Sequence, residues 1–187
     1  MDEVGRGCLL GPVAAAAVVV SATGARELEQ AGVRDSKSLS PSQRQRLVPS
    51  IQSVAIAWQV ASASVAEIDH LNILQAALLA MGRAVNRLEP MPDLCWVDGN
   101  RAIPQIAVPQ ETLVKGDQRS VAIAAASILA KEWRDSLILN LAQDYPGYDL
   151  ASNKGYGTVK HRDGLKKLGL TPHHRRSFAP CRQLLEG

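Results

Sequence analysis

Runs of apolar residues, punctuated by capping and turn signals, assign most of this chain to elements. Gly11-Pro12 opens onto a β-rich apolar run, Val13–Ser21, and a second run covers Val54–Ala61; both predict strands. Between them Ser40 is placed as an N-cap, Pro41 stands at the first helical position and Gln43 completes a capping box. A helix is therefore predicted over about Pro41–Ser53. Ser64-Val65-Ala66-Glu67 repeats the capping box and leads into an apolar stripe of Leu71, Leu74, Leu78, Met81, Val85 and Leu88. One helical region ending near Leu88, ahead of Pro90, is predicted there.

Leu94–Val97 is a short buried strand by composition, and it stops at the turn signature Asp98-Gly99-Asn100. Gln105–Val108 and Thr112–Val114 predict one or two more strands, and Ser120–Gln143 an alanine-rich helix whose apolar surround at Ala124–Ala130 places it centrally. After Tyr145-Pro146-Gly147-Tyr148 a glycine-rich polar stretch precedes a basic helix near Val159–Leu168 and a last short one near Pro180–Leu185. Strands interspersed with helices imply an α/β fold, with acidic residues at strand ends and no internal repeat. We expect a single domain over 1–187, with a core at 1–145 and a C-terminal extension at 146–187.

Composition sharpens this picture in two places. A hydrophobic content of 46% over 187 residues is ample for one core. The longest apolar stretch, Val13–Val20, is too short to cross a bilayer. Cys8, Cys95 and Cys181 are odd in number and lack CxxC spacing, which argues against a disulfide framework or zinc knuckle and for a reducing cytoplasm. The net charge of +3 conceals an asymmetry: residues 151–187 hold 8 Lys/Arg against 2 Asp/Glu, whereas residues 1–150 hold 13 against 16. A basic segment of that density suits a polyanion such as nucleic acid, with Lys166, Lys167, Arg175 and Arg176 as candidate phosphate contacts.

Four acidic positions stand beside glycine or a strand end: Asp2-Glu3, Asp98 and Asp117. Each has a mundane reading, since Asp-Gly is an ordinary turn and Asp117 could cap the helix starting near Ser120. Together they could supply the several oxygen ligands that a hard divalent cation needs.

The combination of motifs resembles the bacterial ribonuclease HII family. The carriers are Asp2-Glu3-Val4-Gly5-Arg6-Gly7 with Gly11-Pro12-Val13, then Asp35-Ser36-Lys37-Ser38-Leu39-Ser40, Val97-Asp98-Gly99-Asn100, and Lys115-Gly116-Asp117 with Ser120 and Ile123–Lys131. Lys154-Gly155-Tyr156-Gly157-Thr158 and His173-His174-Arg175-Arg176-Ser177-Phe178 complete the series in family order. The resemblance implies a ribonuclease H-like mixed sheet flanked by helices, with a helical basic C-terminal extension. It implies that Asp2, Glu3, Asp98 and Asp117 bind two divalent ions, Mn²⁺ or Mg²⁺, and are the catalytic carboxylates. Two ions about 4 Å apart can stabilise both the attacking and the leaving oxygen of an in-line displacement, and 3′-hydroxyl and 5′-phosphate products are implied.

By the same resemblance the substrates are RNA–DNA hybrids and DNA duplexes containing ribonucleotides, bound by a cytoplasmic monomer without a membrane partner. Gly5, Arg6, Gly7 and Tyr156 are the implied readers of the ribonucleotide-to-DNA junction; Lys37 is a candidate phosphate contact. Glycine lets backbone approach a ligand closely, and tyrosine can both stack and donate a hydrogen bond.

Asp135, Asp69 and His70 are read as ion-pairing or surface residues, and His173-His174 as structural or phosphate-proximal. Family members usually have residues ahead of the Asp-Glu pair, so Met1 would stand in mid-strand and a shortened first strand is expected. Two alternatives follow: a non-catalytic nucleic-acid-binding module whose first strand leaves the metal site unformed, and the related ribonuclease HIII type. Adjacent strand residues point to opposite faces, so Asp2 and Glu3 should not share one side of an ideal strand.

Overall fold

In a computed structural model, which describes residues 1–186, β1 (Asp2–Val4), β2 (Val13–Val19) and β3 (Ala57–Ala63) form an antiparallel sheet in that order. A second, parallel pair joins β4 (Cys95–Asp98) to β5 (Gln110–Leu113). Met1 ties the two together: its amine donates to the Trp96 carbonyl at 2.7 Å, and its carbonyl accepts from the Asp98 N–H at 3.1 Å. That is the bond pattern of parallel neighbours, so the strands run β3-β2-β1-β4-β5 as one mixed sheet.

The remaining elements are α1 (Ala22–Gln30), α2 (Pro41–Val54), α3 (Val65–Leu71), α4 (Ile73–Val85), α5 (Val121–Asp144), α6 (Leu150–Asn153), α7 (Val159–Leu168) and α8 (Ala179–Glu186). α4 covers one face of β2 and β3, where Val13, Ala15 and Ala17 join its core; α5 covers the other, where Ala16 packs with Ala124–Ala126 and Ile128. Alanine is a poor strand former, yet Ala14–Ala17 are all buried at the centre of the sheet. Packing overrides propensity here, because small side chains let a helix approach each face closely. A third apolar cluster, including Leu9, Leu10, Ile138, Tyr148, Leu165 and Cys181, fastens the C-terminal helices to the body.

Both capping boxes form as the sequence implies, at Ser40/Gln43 and Ser64/Glu67. The helical region after Ser64 is broken, however. Asn72 adopts φ +76°, its N–H closes α3 on Ile68, and its side-chain oxygen accepts from the Leu74 and Gln75 N–H groups to start α4. One residue serves two ends, which an apolar stripe cannot reveal. The second predicted strand begins later than expected, at Ala57, because Val54 completes α2. Residues 105–108 form no strand. Gln105 has positive φ, and the Gln110 side chain instead holds both backbone groups of Ile103. α1, capped by Ser21 on Gly24, was not anticipated; that cap and the apolar Leu28 were its available signals. Among the described residues no helix is long and apolar enough to cross a membrane.

Candidate active site

The carboxylates lie on β1, at the end of β4 and in the turn before α5. On β1 the alternation holds: Asp2 pairs with Ala16 and lies on the α5 side, whereas Glu3 pairs with Ala15 and faces α4. Asp2 is buried, and its Oδ1 accepts the Glu3 N–H at 2.7 Å. Burial, then the negative charges of Glu3 and Asp98, push its carboxyl up to about 7. Glu3 accepts from Arg6 Nη1 at 3.1 Å and lines a cavity of about 310 Å³ with Arg6, Asp98 and residues of α4.

Asp98 ends β4, where its Oδ1 accepts the Gly116 N–H at 2.6 Å. A Cβ on Gly116 would lie 2.6 Å from the Ile123 side-chain end and 3.1 Å from that carboxylate oxygen, so a larger residue would have to displace one or both. Asp117 follows in a 3-10 turn, Gly116–Gln118. It does not cap α5. Ser120 does so, accepting from the Ile123 N–H, which leaves the buried Asp117 carboxylate for Lys37 Nζ at 3.2 Å. Against a desolvation that pulls it down, the bond to Asp117 and its charge hold the Lys37 ammonium above its ordinary value.

Lys37 is placed by a network that sequence reasoning missed. Arg44 donates to the carbonyls of Ser36 and Leu39 and to Glu132, and lies 3.9 Å from Asp135; Ser36 meets Ser127 on α5 at 2.9 Å. Asp135 also accepts from Lys131 at 2.9 Å. Asp135 is thus occupied by ion pairs, and it is buried rather than on the surface.

All-oxygen donors and charge crowding at Asp2 fit a hard divalent cation, which would relieve the repulsion. Asp2 and Glu3 nevertheless lie on opposite faces of the sheet. Among the described residues, no three His, Cys, Asp or Glu side chains are grouped so as to hold a metal ion. A cation would have to draw them together. β1 is formed and paired on both edges, so nothing here favours a binding module with an unformed first strand.

The Gly5–Gly7 loop continues directly from β1. Cys8 bridges Tyr156 and Leu10 bridges His174, which inserts segment 8–11 between two stretches of the C-terminal extension. Tyr156 is 41% exposed, and its ring edge lies 3.9 Å from where a Cβ on Gly7 would be. Two buried guanidiniums hold this arrangement. Arg134 donates to the carbonyls of Pro12, Lys154 and Leu10 at 3.0, 2.9 and 2.8 Å, and it fills the space where a Cβ on Gly5 (φ +88°) would stand. Arg175 donates to Gly11 and Arg6 at 2.9 and 2.8 Å and lies over the Phe178 ring, with Nη2 buried and unpartnered. Arg175 is therefore not a phosphate contact, since it is fully buried and committed to backbone; burial pushes it down to about 10. Lys166, Lys167 and Arg176 do face solvent.

A family model described as Ribonuclease HII matches residues 1–181. The chain belongs to the ribonuclease HII family. The ribonuclease HII of Acaryochloris marina is 60% identical over 185 residues, covering 99% of this chain and 93% of that protein. Among solved structures, ribonuclease H2 from Pyrococcus horikoshii OT3 superposes with a TM-score of 0.84 at 27% identity, covering 99% of this chain and 95% of that one. A ribonuclease HIII, Bst-RNase HIII, solved in complex with Mn²⁺, has a TM-score of 0.79 at 19% identity and covers 99% and 68%. That likeness is one of fold, and family membership decides for the HII type over HIII. As a ribonuclease HII family member the chain is a ribonuclease H enzyme, and its mixed sheet flanked by helices is the architecture those relatives share.

Proposed function

We propose that this ribonuclease cuts the RNA strand of RNA–DNA hybrids and single ribonucleotides embedded in duplex DNA, leaving 3′-hydroxyl and 5′-phosphate ends. The observation that carries the reading is continuity. Glu3 on β1 bonds Arg6, and Arg6 lies in the loop that meets Tyr156, so acidic chemistry and a glycine-lined recognition surface are contiguous. Asp2, Glu3, Asp98 and Asp117 would hold Mn²⁺ or Mg²⁺. A pair of such ions supplies charge stabilisation for the attacking and leaving oxygens of an in-line displacement.

The chain's own residues do the rest. The Gly116 N–H orients Asp98, and Lys37 donates to the Asp117 carboxylate and offers an exposed cation to a phosphate. The exposed Gly7 backbone can approach a ribose, and the Tyr156 ring offers a stacking face and a hydroxyl beside it. Lys166, Lys167 and Arg176 extend a positive surface for the duplex. Three free, buried cysteines agree with a reducing compartment, and the reading is of a cytoplasmic monomer acting on duplexes.

A DNA duplex with one embedded ribonucleotide, incubated with Mn²⁺ or Mg²⁺ and in parallel with chelator, tests the proposal. Cleavage at the ribonucleotide that chelator abolishes is the expected result. An intact duplex, or cleavage indifferent to chelator, would sink it.

A further inference from the structure

Beneath Tyr156 lies a pair of fully buried imidazoles that the cleavage chemistry does not use. His161 sits in the first turn of α7, and His174 in the segment bridged to Leu10. Their Nε2 atoms are 3.1 Å apart. The outer nitrogens settle which ring carries which proton. The Thr171 N–H donates to His174 Nδ1 at 2.9 Å, so that nitrogen is an acceptor and the His174 proton resides on Nε2. His174 Nε2–H must then donate to His161 Nε2, which places the His161 proton on Nδ1. His161 Nδ1 in turn lies 2.9 Å from the Tyr156 carbonyl, an obligate acceptor.

The result is a chain with one direction, Thr171 to His174 to His161 to Tyr156, in which every bond is satisfied and both rings are neutral. A proton added to His161 would set two N–H groups against each other at 3.1 Å. Burial agrees, lowering both imidazoles below their ordinary value, His174 to about 4. The Tyr148 ring packs against both at 6.1 and 5.1 Å, which closes the pair off. The Tyr156 carbonyl also accepts the Thr158 N–H at 2.8 Å, so that peptide is held from two sides while the tyrosine ring projects outward beside Gly7.

We propose that His161 and His174 are positioning residues: this neutral relay fixes the Tyr156 peptide, and with it the angle of the ring that reads a ribonucleotide junction. The inference rests on the role given to Tyr156 above. An isolated ribonucleotide must be held in one register, whereas a long hybrid offers many, so a loosened Tyr156 should penalise the isolated ribonucleotide selectively.

Two substitutions separate positioning from mere support. In His161→Asn the amide nitrogen can occupy the place of Nδ1 and keep the bond to Tyr156. In His161→Gln it reaches only the place of Nε2, and that bond is lost. We expect His161→Gln to lose about tenfold in kcat/KM on a duplex with one ribonucleotide, the factor for one hydrogen bond at the upper end of its usual net worth, with a much smaller loss on a long RNA–DNA hybrid. His161→Asn should recover most of that loss. Nitrogen-15 NMR of the wild-type protein should show His161 in the Nδ1–H form and His174 in the Nε2–H form. This arm needs no variant, so a poorly folding substitution does not shelter the idea. An Nε2–H tautomer at His161, or equal losses for both variants on both substrates, would overturn it. Should the wild type cut the hybrid and leave the single ribonucleotide intact, the substrate reading fails and takes this inference with it. Wild-type cleavage of both with no selective loss in His161→Gln removes the inference alone.

Discussion

Residues 2–12 pass through two oppositely charged environments that are stabilised in opposite ways. At β1, burial of Asp2, then the negative charges of Glu3 and Asp98, makes ionisation costly, so the Asp2 carboxyl is pushed up to about 7. A few residues on, the loop rests on Arg134 and Arg175, two buried cations that make no ion pair among the described residues; they are met by five backbone carbonyls instead. The acidic end holds electrostatic repulsion that a cation would discharge, whereas the basic end is met by fixed dipoles at every guanidinium nitrogen except Arg175 Nη2. Structural rigidity therefore belongs to the arginines and reactivity to the carboxylates. Segment 2–12 passes directly from one to the other.

If that division is right, the largest effect on turnover comes from the acidic end. Asp98→Asn, which removes charge at nearly constant volume, should reduce metal-supported cleavage to background while the melting temperature holds. Substantial cleavage by a folded Asp98→Asn protein would dissolve the contrast.

The largest effect on stability should come from the basic end. Arg134→Met removes three hydrogen bonds from a charged donor and leaves three backbone carbonyls short of a partner, although it also relieves a buried charge. We expect a loss of about 3 kcal/mol in urea unfolding. A loss below about 1 kcal/mol would show that the carbonyl cradle does not hold the loop.

Asp2→Asn should act in the opposite sense. With chelator present, a carboxyl of folded pKa about 7 binds its proton more tightly in the folded than in the unfolded chain. Wild-type stability should then fall as pH rises from about 4 to about 7 and stay low above that range. The asparagine escapes this penalty and should be more stable at pH 8 by up to roughly 4 kcal/mol, about 1.4 kcal/mol for each pH unit by which the carboxyl is raised, with the advantage shrinking towards pH 4. A variant less stable at pH 8 would mean that Asp2 is satisfied without a cation.

The smallest effect concerns the solvated surface. Replacing Lys166 and Lys167 with glutamine should weaken duplex binding a few-fold for all sequences. The slope of log K against log salt should fall by at most about 2, near 0.9 for each phosphate no longer neutralised by a lysine. An unchanged slope would reduce these lysines to a solvated face.

Much of this was open to reading along the chain. Ser40 and Ser64 announce their helices because a capping box needs only residues three apart, and the buried α5 declares itself through Ala124–Ala130. The opposite facing of Asp2 and Glu3 follows from strand alternation and is observed. Arg175 shows where such reading stops. In a basic segment it resembles Arg176, yet one is fully buried under the loop and the other is exposed. The Asn72 break in the apolar stripe and the loop at 105–108 were equally hidden, since each depends on one residue's positive φ and its local partners.

Local order alone settles the properties that arise between residues within a few positions of each other: caps, periodicity, the acidic pair before a glycine loop, and the run of family motifs. Only the folded chain decides what Arg134 and Arg175 do, because their partners at Pro12 and Gly11 lie 122 and 164 residues away. The same is true of the proton order between His161 and His174, which depends on a backbone N–H at Thr171 and a carbonyl at Tyr156 converging on one buried pair. A hydrogen bond is specified by the position and direction of both partners, and a residue's identity supplies only the capacity to make one.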